Sequence, residues 1–264
     1  MLIKTKKEID ILKKDGKIIG QILTDLSQYC IVGKSTWEID KKAEELILKA
    51  GGIPAFKNYQ SGPEDRPFPS TICACLNNQI VHAPASKKVF LKNGDIFTID
   101  IGMKKNGLFT DTAITLIIGE VSSKIKELLR VTKQSLEEGI KAIKPGNSVS
   151  DIGKAIENYV NSQGKYGIIR ELVGHGVGHG VHEDPMIPNY YDRKFDKFIL
   201  KPGMVLALEP MVAIGGWRVT DGPDGFSIDT MDGSVCAHFE HTVVVTEDGC
   251  DVITRRPNEE KEII

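Results

Sequence analysis

The chain has 264 residues, 41% hydrophobic and 27% charged, which is the composition of an ordinary globular protein. A formal net charge of −2 without long runs of one sign argues against nucleic-acid partners and acidic membrane surfaces. No run approaches the ~20 apolar residues that span a bilayer. No apolar segment follows the N-terminal lysines, as a signal peptide would require, so we expect a cytoplasmic protein. The five cysteines lack CxxC spacing and predict reduced thiols.

The first predicted elements are two helices. Thr5 and Glu8 form a capping-box pattern ahead of a long apolar face. Ser35 and Glu38 form a second one, and the apolar stripe that follows stops at Gly51. Helices therefore occupy the start of the chain.

A hairpin follows these helices. Residues 96–99 form a buried-strand pattern that ends on Asp100, and Asn106 with Gly107 signals a tight turn before Asp111. The spacing predicts that the two aspartates lie on neighbouring antiparallel strands.

The second half begins again with helices, near Ser122 and at Ser148, and the latter helix stops at Gly164. Strand patterns follow at residues 205–208, directly before Glu209, and at residues 242–245, directly after Glu240. The order of elements therefore matches that of the first half.

The two halves resemble each other in sequence. Residues 92–100 recur as residues 201–209, and residues 32–39 recur as residues 145–152. Chance similarity between common turns is the alternative explanation. We interpret the pattern as an α+β fold with two pseudo-twofold-related halves, about 1–120 and 121–264, forming one domain (1–264) around a central antiparallel sheet.

Four acids and one histidine carry the predicted chemistry. Each acid lies beside a buried strand pattern, where a carboxylate is costly unless it is paired or binds a metal. The histidine belongs to the glycine-rich segment 174–185, which also contains His179 and His182. If they converge, these five residues can hold two divalent cations as in a metallohydrolase, and the set is Asp100, Asp111, His175, Glu209 and Glu240.

The chain resembles the dinuclear-metal peptidases of pita-bread fold. The resemblance is carried by these five residues in this order, the segment 174–185, Glu209-Pro210-Met211 and the segment 240–246. Within that family the chain is similar to the type I methionine aminopeptidases over almost its whole length. The resemblance implies that the five residues ligate two metal ions, with Asp111 and Glu240 bridging. Co, Mn, Fe(II), Zn and Ni all remain open.

The resemblance also implies an activity. A methionine aminopeptidase removes the initiator methionine from nascent polypeptides that have a small second residue, by attack of a metal-bridging hydroxide on the first peptide bond. Glu209 would shuttle the proton, and His82 and His182 would hold the peptide. The implied methionine pocket is formed by Phe68, Cys73, Val181 and Phe226.

At two places in and near this pocket the sequence differs from the family pattern. Phe226 stands where the family has tryptophan, and residues 57–69 depart from the family pattern. Ordinary core packing is the alternative for each pocket residue, and the role of His179 stays open.

Two other functions are alternatives for this sequence. An Xaa-Pro peptidase of the same fold would share the ligands but carries an additional N-terminal domain, for which we expect no room here. A catalytically silent peptide-binding relative would have lost metal ligands, and all five are present. We expect a monomer; ribosome association is not determined by the sequence.

Overall fold

The helices begin at the predicted caps. The computed structural model describes residues 2–60, 62–257 and 259. Thr5, Ser35 and Ser148 each accept a hydrogen bond within a complete capping box, and Ser122 caps the third helix. The helices are α1 (Lys6–Tyr29), α2 (Thr36–Lys49), α3 (Ser123–Lys141) and α4 (Val149–Gln163), with a 3-10 turn at Arg193–Phe195.

The strands are mostly short, with two long exceptions in the predicted hairpin. They are β1 (Ile53–Pro54), β2 (Ile72–Leu76), β3 (Gln79–Val81), β4 (Ile96–Lys105), β5 (Leu108–Ile117), β6 (Gly167–Ile168), β7 (Gly174–Gly176), β8 (Glu183–Ile187), β9 (Val205–Leu208), β10 (Met211–Ala213), β11 (Val219–Asp221), β12 (Ile228–Thr230), β13 (Cys236–His238), β14 (Glu240–Val245) and β15 (Cys250–Val252). Asn106 and Gly107 both have positive φ, as the tight turn between β4 and β5 requires.

The central sheet is antiparallel in all its pairings and runs in the order β1-β4-β5-β14-β9-β7-β8, with β2 along β4 and β15 along β14. Two three-stranded sheets flank it, β13-β10-β6 and β11-β12-β3. This architecture confirms the predicted α+β class with a central antiparallel sheet.

One face of the sheet packs against the helices. Phe97 and Ile99 of β4 share an apolar core with Leu23 of α1, Ile39 of α2 and Leu129 of α3. Because side chains alternate along a strand, Asp100 lies on the opposite face. Apolar burial against the helices thus fixes which face carries the acids.

The sequence repeat extends to backbone hydrogen bonds. Gly33 N–H donates to the Leu91 carbonyl at 2.8 Å, and Gly146 N–H donates to the Leu200 carbonyl at 3.1 Å. Both glycines have φ near +90°, which a residue with a Cβ rarely adopts. The two turns before α2 and α4 are therefore built in the same way.

Two expectations from composition concern thiols and membranes. All five cysteines are free, and four of them are buried, as predicted for reduced thiols. Among the described residues, no helix combines the length and apolar character needed to cross a bilayer.

Candidate metal centre

Four of the five predicted ligands lie in strands of the central sheet, and the fifth directly follows a strand of the same sheet. Asp100 lies in β4, Asp111 in β5, Glu240 in β14 and His175 in β7, and Glu209 directly follows β9. The order of these strands across the sheet is β4-β5-β14-β9-β7. Neighbouring strands are about 4.8 Å apart, so ligands on adjacent strands lie next to one another along this row.

The strand register places the acids on one face. Ala113 of β5 is opposite Asp100 on one side and opposite Glu240 on the other, and Asp111 is opposite Gly102. Directly opposed residues share a face, and so do residues two apart along a strand. Ala113 thus puts a single methyl group between two acids, which leaves space in front of the sheet.

The ligand atoms converge. One ligand atom each from Asp111, His175 and Glu240 lies within 4.8 Å of the others. His175 Nε2 is 3.4 Å from Glu209 Oε1. The side chain of Glu209 is 12% exposed, and Asp100, Asp111 and Glu240 are buried.

Electrostatics show what such a cluster requires. Burial, followed by repulsion from the other carboxylates, raises the pKa of Asp111, Glu209 and Glu240 well above the usual range. Burial raises the pKa of Asp100 to about 7. Protons or cations must therefore neutralise this face of the sheet.

Divalent cations fit these residues. One oxygen each of Asp100, Asp111 and Glu240 is buried without a hydrogen-bond partner in the described part of the chain. Buried oxygens without donors are costly, and carboxylate oxygens are favourable ligands of hard and borderline cations. These oxygens are therefore available as ligands for the cations that would neutralise the cluster.

The orientation of His175 also suits a metal. Burial lowers its pKa to about 4, so the imidazole is neutral at pH 7. Its Nδ1 lies 2.9 Å from the Gly176 carbonyl, which can only accept a hydrogen bond. The proton is therefore on Nδ1, and the free electron pair of Nε2 is left for a metal.

A cavity of about 460 Å³ opens in front of the cluster. All five predicted ligands line it, together with His82, His182 and the apolar side chains of Phe68, Cys73 and Phe226. Val181 packs behind this wall in the same apolar cluster as Phe68 and Cys73. The structure therefore brings the predicted residues to one cavity, with Val181 in its supporting layer.

Tyr59 and Arg66 are among the cavity residues that were not predicted from the sequence. Tyr59 places its hydroxyl 2.9 Å from His182 Nδ1, and Arg66 lies over the Phe226 ring at 4.2 Å while donating to the Gly225 carbonyl. Both belong to residues 57–69, whose departure from the family pattern was the available signal.

His238 was also not predicted, and its Nε2 is 3.8 Å from Glu209 Oε2. Strand alternation could have indicated it, because His238 is two residues before Glu240 and so shares its face. The neighbouring His241 instead pairs with Thr254 and Glu259.

The glycine-rich segment is attached to the N-terminal region. His179 Nε2 is 2.8 Å from Glu8 Oε1, and the buried Lys4 pairs with Glu183 at 2.5 Å. Glu183 also accepts the Gly180 N–H. These contacts give His179 a structural partner at the start of α1.

Comparison with known proteins agrees with this geometry. A family model described as metallopeptidase family M24 matches residues 10–247. The chain belongs to metallopeptidase family M24. Membership confirms the sequence prediction of a metal-dependent peptidase, and the buried carboxylates at the cavity are consistent with the divalent metal that such an M24 peptidase uses.

Individual M24 relatives cover nearly the whole chain. Methionine aminopeptidase 1 of Bacillus subtilis is 43% identical over 255 residues, 97% of this chain and 99% of that protein. The crystal structure of methionine aminopeptidase from Thermotoga maritima matches with a TM-score of 0.90 and 41% identity. The match covers 97% of this chain and 100% of that chain.

A more distant M24 structure shares the fold. Prolidase from Pyrococcus furiosus matches with a TM-score of 0.76 and 26% identity, covering 97% of this chain and 66% of that chain. These matches confirm the pita-bread fold.

Proposed function

We propose that this M24 peptidase removes the N-terminal methionine from polypeptides with a small second residue. The observation that carries the proposal is one cavity in which four buried or nearly buried carboxylates and His175 adjoin an apolar wall. Relatives named methionine aminopeptidase over nearly the full length support this substrate. Nascent chains in the cytoplasm are the source of such substrates.

The proposed ligands, which would hold two divalent cations, are Asp100, Asp111, His175, Glu209 and Glu240. Four carboxylates balance the charge of two such ions and leave His175 as a neutral ligand. Bound there, the ions would lower the pKa of a water and polarise the scissile carbonyl.

The chain's own side chains supply proton transfer and substrate binding. In this proposal Glu209 accepts a proton from the attacking water and passes it to the departing amine, and its place in the cavity lining supports that role. His82 and His182 line the same cavity and hydrogen-bond the peptide. His82 has a φ of +60°, a backbone conformation that a surrounding structure must impose.

The methionine side chain would contact Phe68, Cys73 and Phe226. The Phe68 and Phe226 rings meet edge to face with centroids 5.8 Å apart. Burial raises the pKa of the Cys73 thiol, which keeps this wall uncharged. Val181 supports it from behind, and an unbranched thioether suits such a surface.

We further propose that both halves, about 1–120 and 121–264, act as one catalytic domain in a monomer. The pairing of β5 with β14 joins the halves, and each half contributes two carboxylates to the cavity. The matched turns before α2 and α4 support a common origin for the halves.

The test is release of the first residue from peptides beginning Met-Ala, Met-Lys and Xaa-Pro after loading with Mn, Co, Fe(II), Zn or Ni. We expect cleavage of Met-Ala and little of Met-Lys. A preference for Xaa-Pro would replace the proposal with a prolidase activity, which the fold shared with prolidase makes the natural competitor. Metal binding without cleavage of any peptide would indicate a silent peptide-binding protein.

A further inference from the structure

An imidazole behind the cavity wall has no explained partner. His238 is 2% exposed, and neither Nδ1 nor Nε2 has a hydrogen-bond partner among the described residues. A buried polar group without a partner costs stability, so such a group in a native protein calls for a specific explanation.

Hydrogen bonds hold the backbone of His238 in place. The Thr115 hydroxyl accepts the His238 N–H and donates to the His238 carbonyl, both at 2.8 Å. The same hydroxyl is 2.8 Å from that of Thr98 in the adjacent strand. His238 is also opposite Met211, which follows Glu209 by two residues. The backbone of His238 is thus held from two sides.

The Glu209 carboxylate lies between two imidazoles, one beside each oxygen. Oε1 is 3.4 Å from His175 Nε2, and Oε2 is 3.8 Å from His238 Nε2. The usual distance between donor and acceptor in a hydrogen bond is ~2.9 Å, and the distance from Oε2 to His238 Nε2 is about 0.9 Å longer. A small rotation of the Glu209 side chain closes that gap.

We propose that His238 is a positioning residue for Glu209. Its Nε2–H donates to Oε2, which keeps Oε1 on the side of His175 where the proposed metal ions bind. Imidazole–carboxylate contacts of this kind orient ligands in metal sites. The inference rests on the proposed metal centre and adds to it a residue outside the ligand set.

Three substitutions separate the hydrogen bond from packing. In His238→Gln the amide nitrogen occupies about the place of Nε2, in His238→Asn it occupies about that of Nδ1, and in His238→Leu no donor remains. The readout is affinity of the full-length metal-free protein for Mn by calorimetry, without substrate. We expect the Leu and Asn variants to bind about 10 to 100-fold more weakly, and the Gln variant within about threefold of wild type.

Phe239→Leu is the control, because Phe239 is buried on the opposite face of the same segment. It should lower the melting temperature and leave Mn affinity within about threefold. Equal affinity of wild type and the Leu variant, or of the Gln and Asn variants, would overturn the proposal.

Nitrogen-15 NMR of the zinc-loaded protein gives a second readout. The proposal requires the Nε2–H form of His238, assigned by its loss in His238→Gln; direct zinc ligation by either ring nitrogen would refute the positioning role. Both measurements omit substrate. A wild type that binds metal but cleaves no methionyl peptide would therefore refute the proposed function and leave this test valid.

Discussion

At the residue scale, the Glu209 carboxyl group lies between two histidines. It approaches His175 with one oxygen and His238 with the other, and burial followed by the charges of Asp100 and Asp111 raises its pKa. A buried carboxyl group with a raised pKa that lines a cavity is a candidate for proton transfer.

Glu209→Gln should therefore lower kcat on a Met-Ala peptide by about 10²- to 10⁴-fold, the usual contribution of a general acid or base. The measurement is kcat at saturating peptide, with metal content determined on the same sample. A Gln variant that holds both metal ions and turns over at the wild-type rate would remove Glu209 from proton transfer.

Tyr59 contacts one of the cavity histidines. Its hydroxyl is 2.9 Å from His182 Nδ1, and the two rings meet edge to face. Losing one hydrogen bond costs about 0.5–1.5 kcal/mol, so Tyr59→Phe should lower kcat/KM by about 2- to 12-fold. Tyr166→Phe, which removes a hydroxyl away from the cavity, should leave kcat/KM unchanged. Equal loss in both variants would contradict a role for the Tyr59 contact.

At the element scale, the hairpin of β4 and β5 sets the space in front of the sheet. Ala113 is 1% exposed and lies opposite both Asp100 and Glu240. We expect Ala113→Val to weaken Mn binding by at least about tenfold, because two extra methyl groups enter the space between the acids. Calorimetric titration checks this.

Ala74→Val provides the matched control. Ala74 is buried in the neighbouring strand β2 but packs into the core under the helices. The control variant should lose stability and keep its Mn affinity. If both valines reduce Mn affinity equally, general overpacking explains the effect.

A contact between two elements predicts a pH dependence. The hydrogen bond from His179, followed by those from Thr5, lowers the pKa of Glu8 to about 2 from its usual 4.5. A carboxyl group with a lowered pKa stabilises the fold above about pH 4.5, and this contribution is lost as the pH falls toward 2. Because Glu8 is exposed, solvent screening makes the effect small.

Glu8→Gln should therefore reduce the urea midpoint at pH 7, and the difference from wild type should shrink by pH 3.5. Both proteins are compared without metal, so that metal loss in acid does not contribute. Asp10→Asn, an exposed acid on the same helix, serves as the control. A difference that stays constant between the two pH values would contradict the assigned pKa.

At the scale of the whole molecule, the clustered acids oppose folding unless protons or cations neutralise them. A ligand at 100 times its Kd stabilises the native state by about 2.7 kcal/mol, which raises Tm by about 5–10 °C in a chain of this size. Saturating Mn or Co should therefore raise Tm by at least about 5 °C.

The double variant Asp111→Asn with Glu240→Gln tests the origin of this effect. It removes two charges from the cluster, so its metal-free Tm should be higher than that of wild type, and added metal should change it little. Identical melting temperatures of wild type with and without metal would argue against the proposed centre.

Much of this protein was determined locally by its sequence. The caps at Thr5, Ser35, Ser122 and Ser148 and the turn at Asn106 depend on residues only a few positions apart, so their patterns predicted the observed elements. The acids next to buried strands were recognisable because a carboxylate there needs a compensating partner.

Tertiary structure alone decided which strands are neighbours. The sequence indicated β4, β5, β9 and β14, yet only the sheet order aligns one ligand from each, with His175 on β7 completing the row. It also brought Tyr59 to His182, His238 to Glu209 and Val181 behind the cavity wall. Such contacts join residues far apart in the chain, and they form where burying apolar faces lowers the free energy of the whole fold, which no local pattern records.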